Sequence, residues 1–179
     1  AIIGGWVDMM LSRIVDSLMA IPTLIFALVI LSVLGTSIPV LVSTIAVLES
    51  TRVFRLSRAV AANIVPLEFV EVAALRGENL LWVLRREIMP NALAPLLAEF
   101  GVRFCYALLF VASLSFLGLG VQPPWADWGG MVRENAQAIA FFGWAPLLPA
   151  AAIATVTIGV NLIVDWFLGT YSRPQGEAV

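Results

Sequence analysis

Long uncharged runs divide this sequence into candidate helices. Residues 17–48 carry no charged side chain, and Gly35 and Pro39 interrupt that run near its middle. Gly and Pro at such a point indicate a turn. The half before the turn has the roughly 20 residues that a helix needs to cross a bilayer core. We predict a first membrane span at about 14–34, kinked at Pro22.

The half after the turn is a weaker candidate, because Glu49, Arg52 and Arg55 end its uncharged stretch early. Hydropathy alone would also fit a re-entrant segment. We favour a second span at about 40–57, whose lower end emerges into water. Arg52, Arg55 and Arg58 are spaced three apart along one stripe, where long side chains can reach the lipid headgroups.

The rest of the chain divides into two further spans and two connections. We predict a polar loop over about 58–91, a third span over 92–117, and an outer loop over 118–145 that contains a short interfacial helix. A fourth span follows at about 146–168. Glu99 and Arg103, four residues apart, can neutralise each other near the start of the third span.

Composition supports this assignment. Of 179 residues, 61% are hydrophobic and 12% are charged, against about 25% charged in an average soluble domain. A mean hydropathy of +0.98 leaves too little polar surface to coat a water-soluble core. We therefore predict an all-α, polytopic helical membrane protein that forms one domain over residues 1–179, with lipid as a partner.

The missing residue types exclude several kinds of chemistry. The chain has no His and no Lys, and Cys105 is its one cysteine. Catalytic triads, multi-Cys zinc sites and a P-loop lysine are therefore impossible within it. We expect no enzymatic activity, no cofactor and no metal site, and Cys105 is expected to be a small buried apolar residue. A net charge of −2 argues against nucleic acid as a partner.

The distribution of arginines predicts the orientation. The loop over 58–91 with its flank holds six of the ten basic residues, at positions 52, 55, 58, 76, 85 and 86. Cytoplasmic loops of membrane proteins carry such an excess. The loop is therefore predicted to be cytoplasmic, and the connection over 118–145, with Arg133 alone, to lie outside.

A short motif stands in the cytoplasmic loop. Glu71, Ala73 and Gly77 are followed in register by Pro90. This pattern resembles the E-A-A-x-x-x-G loop, followed by I-x-L-P, of the membrane permease subunits of ATP-binding-cassette importers. Val72 replaces the first alanine of that motif.

The role that the resemblance implies for this segment is physically reasonable. Small Ala73 and Ala74 give a helix a low-relief face that can approach a partner, and Gly77 permits a sharp turn at its end. We expect a coupling helix, seated in a groove of a separate ATPase chain. A plain amphipathic loop is the alternative.

A second segment is similar to one branch of that family. Leu114-Ser115-Phe116-Leu117 leads into a stretch that resembles the L-S-F-L-G-L-G-x-x-P-P-x-x-x-W-G signature of the dipeptide, oligopeptide and nickel permeases. The matching positions in the outer loop are Gly118, Gly120, Pro123, Pro124, Trp128 and Gly129.

The resemblance implies a MetI-like permease fold, of which this chain would lack the first two membrane spans. It implies a multi-pass protein of the cytoplasmic (inner) membrane that moves di- or oligopeptides, or a related cargo such as nickel. The implied partners are two ATP-binding ATPase chains, a homologous permease chain and an extracytoplasmic substrate-binding protein.

An ion-driven secondary transporter is the rival hypothesis, with Glu99 and Arg103 as its intramembrane site. It predicts dependence on an ion gradient and no ATPase partner, and it leaves the motif over 71–90 unexplained. Asp16 and Asp165, near the inner ends of spans, are expected to be interface or packing residues rather than proton carriers.

Overall fold

All regular elements are helical in the computed structural model, which describes residues 5–141 and 143–171. Within those ranges there are eight α-helices: α1 Gly5–Met19, α2 Thr23–Leu34, α3 Ile38–Ile64, α4 Glu68–Leu75, α5 Leu80–Val83, α6 Met89–Phe116, α7 Trp128–Asn135 and α8 Leu147–Tyr171. A π-helical turn, Leu84–Ile88, joins α5 to α6, and a 3-10 turn, Ala136–Phe141, follows α7.

The first predicted span is two helices rather than one kinked helix. α1 and α2 meet at 85°, and Pro22 stands between them as the residue that precedes α2. Proline has no N–H to donate to the preceding turn. A new helix begins after it, in a direction that the sequence did not predict.

α6 is the C-terminal part of a longer helix. The segment Leu80–Phe116 runs unbroken for 37 residues, although the sequence predicted a loop up to about residue 91. Pro90 lies in the first turn of α6, and the Met89 N–H before it donates to the Leu84 carbonyl five residues back. This widened turn accommodates the proline without ending the helix.

Two helices are long and apolar enough to cross a membrane by length and composition: Leu80–Phe116 and Leu147–Thr170. The bent pair α1 and α2 would be a third if it counts as one span. α3 has the length, at 27 residues, but charged side chains occupy its second half. The described residues are therefore those of an all-helical membrane protein with two clear spans.

Two apolar clusters hold the helices together. The first joins α2, α3 and α6 through buried side chains that include Leu31, Leu48 and Leu114. The second joins the end of α3 to α4, α5 and the start of α6 through Ile64, Ala73 and others. Along α3 and α6, the segment between the two clusters carries the ion pairs that Glu49 makes with Arg52 and Arg103.

Many large apolar side chains face outward. Val33 of α2 is 75% exposed, and Leu162 of α8 is 64% exposed. Such extensive apolar exposure is rare on a soluble monomer and marks contact with lipid or with another protein.

Candidate functional site

The helix predicted to couple to an ATPase is α4, and a glycine ends it. Gly77 has φ +80°, and its N–H donates to the Ala74 carbonyl at 3.0 Å, while the Glu78 N–H reaches the Ala73 carbonyl at 3.3 Å. These two bonds form a Schellman motif, which needs a left-handed residue at this point. Gly77 therefore does what the sequence predicted, by closing the helix with a sharp turn.

The two alanines of the motif differ in exposure, because neighbouring residues of a helix point about 100° apart. Ala73 is 3% exposed and packs with Val70, whereas Ala74 is exposed. Ala73 therefore lies against its own chain and is not open to a partner, because the i, i+3 spacing puts it on the same face as Val70. Glu71 is exposed in the first turn of α4, where the helix dipole favours a carboxylate.

An apolar row on the outer face of α4 was not predicted from the sequence. Phe69, Val72 and Leu75 are 37%, 43% and 80% exposed, and their spacing of three places them along one side. The available signal was the presence of large apolar residues at fixed spacing in a loop predicted to be in water. We name Phe69, Val72 and Leu75 the α4 row.

The inner face of α4 rests on the turn that contains the π segment. Val70 and Ala73 belong to one buried cluster with Val83, Ile88 and Ala92. Pro90 lies between two members of this cluster and is itself exposed. Pro90 therefore lies two residues from Ile88 and from Ala92, which pack with α4. All three belong to the helix that continues into α6.

The outer loop folds back tightly onto the end of α6. Gly118 has φ +89°, and the Leu119 N–H donates to the Leu114 carbonyl at 2.9 Å, so a second Schellman motif ends this helix. A Cβ at Gly120 would overlap Ser115. The Ser115 hydroxyl accepts a bond from the Val121 N–H at 3.3 Å.

The second half of the signature starts α7. Asp127 caps this helix by accepting from the Gly130 N–H at 2.9 Å, and Trp128 follows as its first residue. A Cβ at Gly129 would overlap the backbone of Ala112 in α6, so the glycine lets two helices touch. Pro123 and Pro124, joined by a cis peptide, are exposed between the two halves. The signature residues thus build a compact corner.

A network of four charged side chains links α3 to α6. Glu49 contacts Arg52 within α3 at 2.8 Å and Arg103 of α6 at 3.3 Å. Arg103 Nε lies 2.7 Å from Glu99 Oε1 one turn earlier. We name these residues the α3–α6 ion network. Its side chains are 16–33% exposed, and its four charges sum to zero.

The network extends the pair that the sequence predicted. Glu99 and Arg103 do pair, as expected from their spacing, but Arg103 also holds Glu49 from 54 positions away and lies 4.8 Å from the centre of the Tyr106 ring. Glu49 was missed because helical periodicity says nothing about contacts between helices. The signal was a carboxylate at the end of an apolar stretch, where it needs a cation.

The other arginines of α3 do not share one environment. Arg58 makes a two-pronged contact with Asp8 of α1, with Nη2 2.7 Å from Oδ2. Arg55 lies 3.6 Å from the Met19 sulfur. Asp16 lines the same cleft between α1 and α3, which fits the expected interface role.

Two further sequence-based expectations concern Cys105 and metals. Cys105 is free and buried, as predicted, and the Asn161 amide lies 3.1 Å from its sulfur. No cluster of three or more potential metal ligands occurs within residues 5–141 and 143–171. Asp165 is exposed on α8.

Comparison with known proteins identifies the kind of chain that carries these features. The model of the family described as binding-protein-dependent transport system inner membrane component matches residues 1–173. The chain is 35% identical over 162 residues to a dipeptide transport system permease protein of Alkalihalophilus pseudofirmus, a match that covers 90% of this chain and 53% of the relative.

Two further relatives come from other bacteria. A putative peptide transport system permease protein of Brucella suis is 39% identical over 161 residues, covering 88% of this chain and 53% of the relative. A glutathione transport system permease protein of Pectobacterium atrosepticum is 30% identical over 161 residues, covering 90% and 54%. The chain spans about half the length of the curated relatives that it matches.

Proposed function

The chain belongs to the family of binding-protein-dependent transport system inner membrane components, and on that premise we propose that it is a permease subunit of an ATP-driven peptide importer. It would lie in the cytoplasmic membrane, contribute helices to the transport path and perform no covalent chemistry. The names of its relatives, which refer to dipeptide, peptide and glutathione transport, favour peptides over nickel as the cargo.

We propose that α3 is the fourth span of a MetI-like arrangement, together with the bent pair α1 and α2, α6 and α8. The objection to α3 is its charge. Glu49 and Arg52 neutralise each other, and Glu49 also meets Arg103. A paired charge costs far less in a membrane than a lone one, so the ion network makes this placement feasible.

The assembly would contain a homologous permease chain, two ATPase chains and an extracytoplasmic substrate-binding protein. Energy would reach this chain as a difference in affinity, because ATP-closed partner chains must bind one arrangement of the permease better than the other. The α4 segment is proposed to be the contact for an ATPase chain, and the corner over 118–129 to lie on the outer side.

The observation that carries the coupling proposal is the α4 row. Leu75 is 80% exposed at the last position of a helix whose other face is firmly packed on its own chain. Exposed apolar side chains beside polar ones mark protein contact sites. An ATPase groove that covers the row would turn this exposed surface into an interface core.

Replacing Leu75 tests this proposal. In the full-length permease, Leu75→Asp places a charge in the expected interface core, whereas Leu75→Met keeps an apolar side chain of similar volume and is the matched control. We expect the ATPase chains to co-purify in mild detergent with the parent and the Met variant, and to be lost from the Asp variant. Equal recovery with all three proteins would contradict the assignment.

Transport itself separates the importer from the ion-driven rival. The purified assembly in liposomes is supplied with a labelled dipeptide and the binding protein, with ATP or with an imposed proton or sodium gradient. We expect uptake with ATP alone. Uptake that follows the gradient and ignores ATP would favour the secondary transporter, with Glu99 and Arg103 as its site.

A further inference from the structure

The two arginines of the α3–α6 ion network have different numbers of partners. Arg103 contacts the carboxylates of both Glu49 and Glu99 and lies beside the Tyr106 ring. Arg52, at the other end of the network, makes a single hydrogen bond among the described residues, from Nη1 to Glu49. A guanidinium has several N–H donors in a fixed fork. Arg52 therefore keeps donor capacity that the described residues do not use.

A small cavity lies beside the side chain of Arg52. Its volume is about 220 Å³, and its walls are Thr23, Leu48, Glu49, Arg52, Tyr106 and Phe110. The side chain of Arg52 is 33% exposed. Arg52 and the Thr23 hydroxyl supply the hydrogen-bond donors, and the two rings supply apolar walls.

The unused hydrogen-bond donors of the cavity favour an anion. Glu49 also lines it, but each of its oxygens already faces an arginine, Oε1 facing Arg52 and Oε2 facing Arg103. An ammonium group would have to compete with both guanidinium groups for that carboxylate. A carboxylate needs only the free donors of Arg52, and such charge-assisted pairs are among the strong hydrogen bonds.

Resting on the proposed function, we propose that this cavity binds the C-terminal carboxylate of the peptide cargo, with Arg52 as the binding residue. The cavity is smaller than the roughly 300–1,000 Å³ of pockets that hold whole ligands. It therefore takes the terminal carboxylate and part of the last residue, while the rest of the peptide extends beyond it. Glu49 is a positioning residue, since it holds the Arg52 guanidinium from one side.

Equilibrium binding to the assembled complex tests the proposal. Labelled trialanine and its C-terminal amide are compared in detergent, without ATP and without the binding protein, so that only the membrane part can select. We expect the parent complex to bind the free acid about tenfold more tightly than the amide, the effect of about one charge-assisted hydrogen bond. Failure of the parent to bind the free acid, or equal affinity for both probes, overturns the proposal.

Variants at Arg52 assign this preference to the cavity. Arg52→Gln is expected to weaken binding of the free acid about tenfold and to leave the amide unchanged, and Arg52→Lys to retain part of the preference. Arg55→Gln is the matched control, because Arg55 is exposed one turn further along α3 and does not line the cavity. A folding defect would lower the binding of both probes together, so a selective loss cannot arise from it.

The same preparation keeps this inference separate from the proposed function. ATP-driven uptake by the parent, together with an Arg52→Gln complex that still prefers the free acid, would refute the carboxylate site and leave the importer standing. Absence of ATP-driven uptake would refute the importer itself.

Discussion

The contact between Glu49 and Arg103 is the main polar link between α3 and α6, and a double-mutant cycle measures its strength. The two groups are 3.3 Å apart, with side chains 16% and 18% exposed. At an effective dielectric constant near 20, two unit charges at this distance attract by about 5 kcal/mol. Desolvation of both groups offsets much of that attraction, so the net value of the intact pair is far smaller.

Removing one partner is expected to cost more than the pair is worth. Glu49→Gln leaves the network with two arginines and Glu99, a net charge of +1. Arg103→Gln leaves Glu99 without its cation, a net charge of −1. Isolated buried charges cost about 3–5 kcal/mol, and the partial exposure here places each single variant near the lower end, at about 3 kcal/mol.

The double variant restores a neutral network. We therefore expect its loss of stability to be smaller than the sum of the two single losses by about 2 kcal/mol, within the range seen for contacting residues. The free energy of unfolding is measured for the full-length permease in mixed SDS and maltoside micelles, followed by far-UV circular dichroism. The Asp8–Arg58 pair, which lies on the exposed contact between α1 and α3, serves as the control and is expected to show a weaker coupling.

Additivity would refute the reasoning. If the Glu49 and Arg103 losses add to within about 0.5 kcal/mol, the two side chains do not interact in the folded protein. The short distance between them would then carry no energetic weight. Pairing of these charges would then not explain how a membrane can accept α3.

Three other outcomes are expected. Gly77→Ala is strained by its positive φ and should destabilise the turn after α4 by about 1–2 kcal/mol, with reduced ATPase co-purification as a second readout. Gly129→Ala drives a methyl group into the backbone of α6 and should cost about 1–3 kcal/mol in the unfolding assay, whereas Gly159→Ala, with open space around it, should not destabilise. Asp8→Asn removes the carboxylate that Arg58 contacts between α1 and α3. Amide exchange should therefore show weaker protection of α1 in Asp8→Asn than in the parent.

Local sequence rules predicted the elements whose causes are local. The runs without charge located α8 and most of α6, and the glycines at 77 and 118 predicted the helix ends, because a positive φ is a property of a single position. The start of α6 was misjudged for a related reason. Proline usually ends a helix, but the π turn before Pro90 absorbs it, and no pattern in the sequence marks that turn.

The contacts between distant segments could not be predicted in this way. The pairing of Glu49 with Arg103 depends on how α3 and α6 cross, and the inward position of Ala73 depends on which face of α4 meets the π turn. Hydrophobic periodicity could predict neither contact. It indicates which face of a helix is apolar, but not which other element packs against that face. The exposed α4 row was readable in principle, because large apolar residues in an aqueous loop require a cover.

One helix connects the proposed ATPase contact to the charged network. The buried face of α4 packs on Ile88 and Ala92, at the lower end of the unbroken segment Leu80–Phe116. Arg103 lies 15 residues above Ile88 on that segment, about 22 Å at ~1.5 Å per residue. A displacement of α4 would therefore move the Arg103 side of the network relative to Glu49 on α3, unless the π turn Leu84–Ile88 absorbs it by bending. Because α4 packs against that turn, its stiffness would decide whether a push on α4 by the proposed ATPase chain reaches the middle of the bundle.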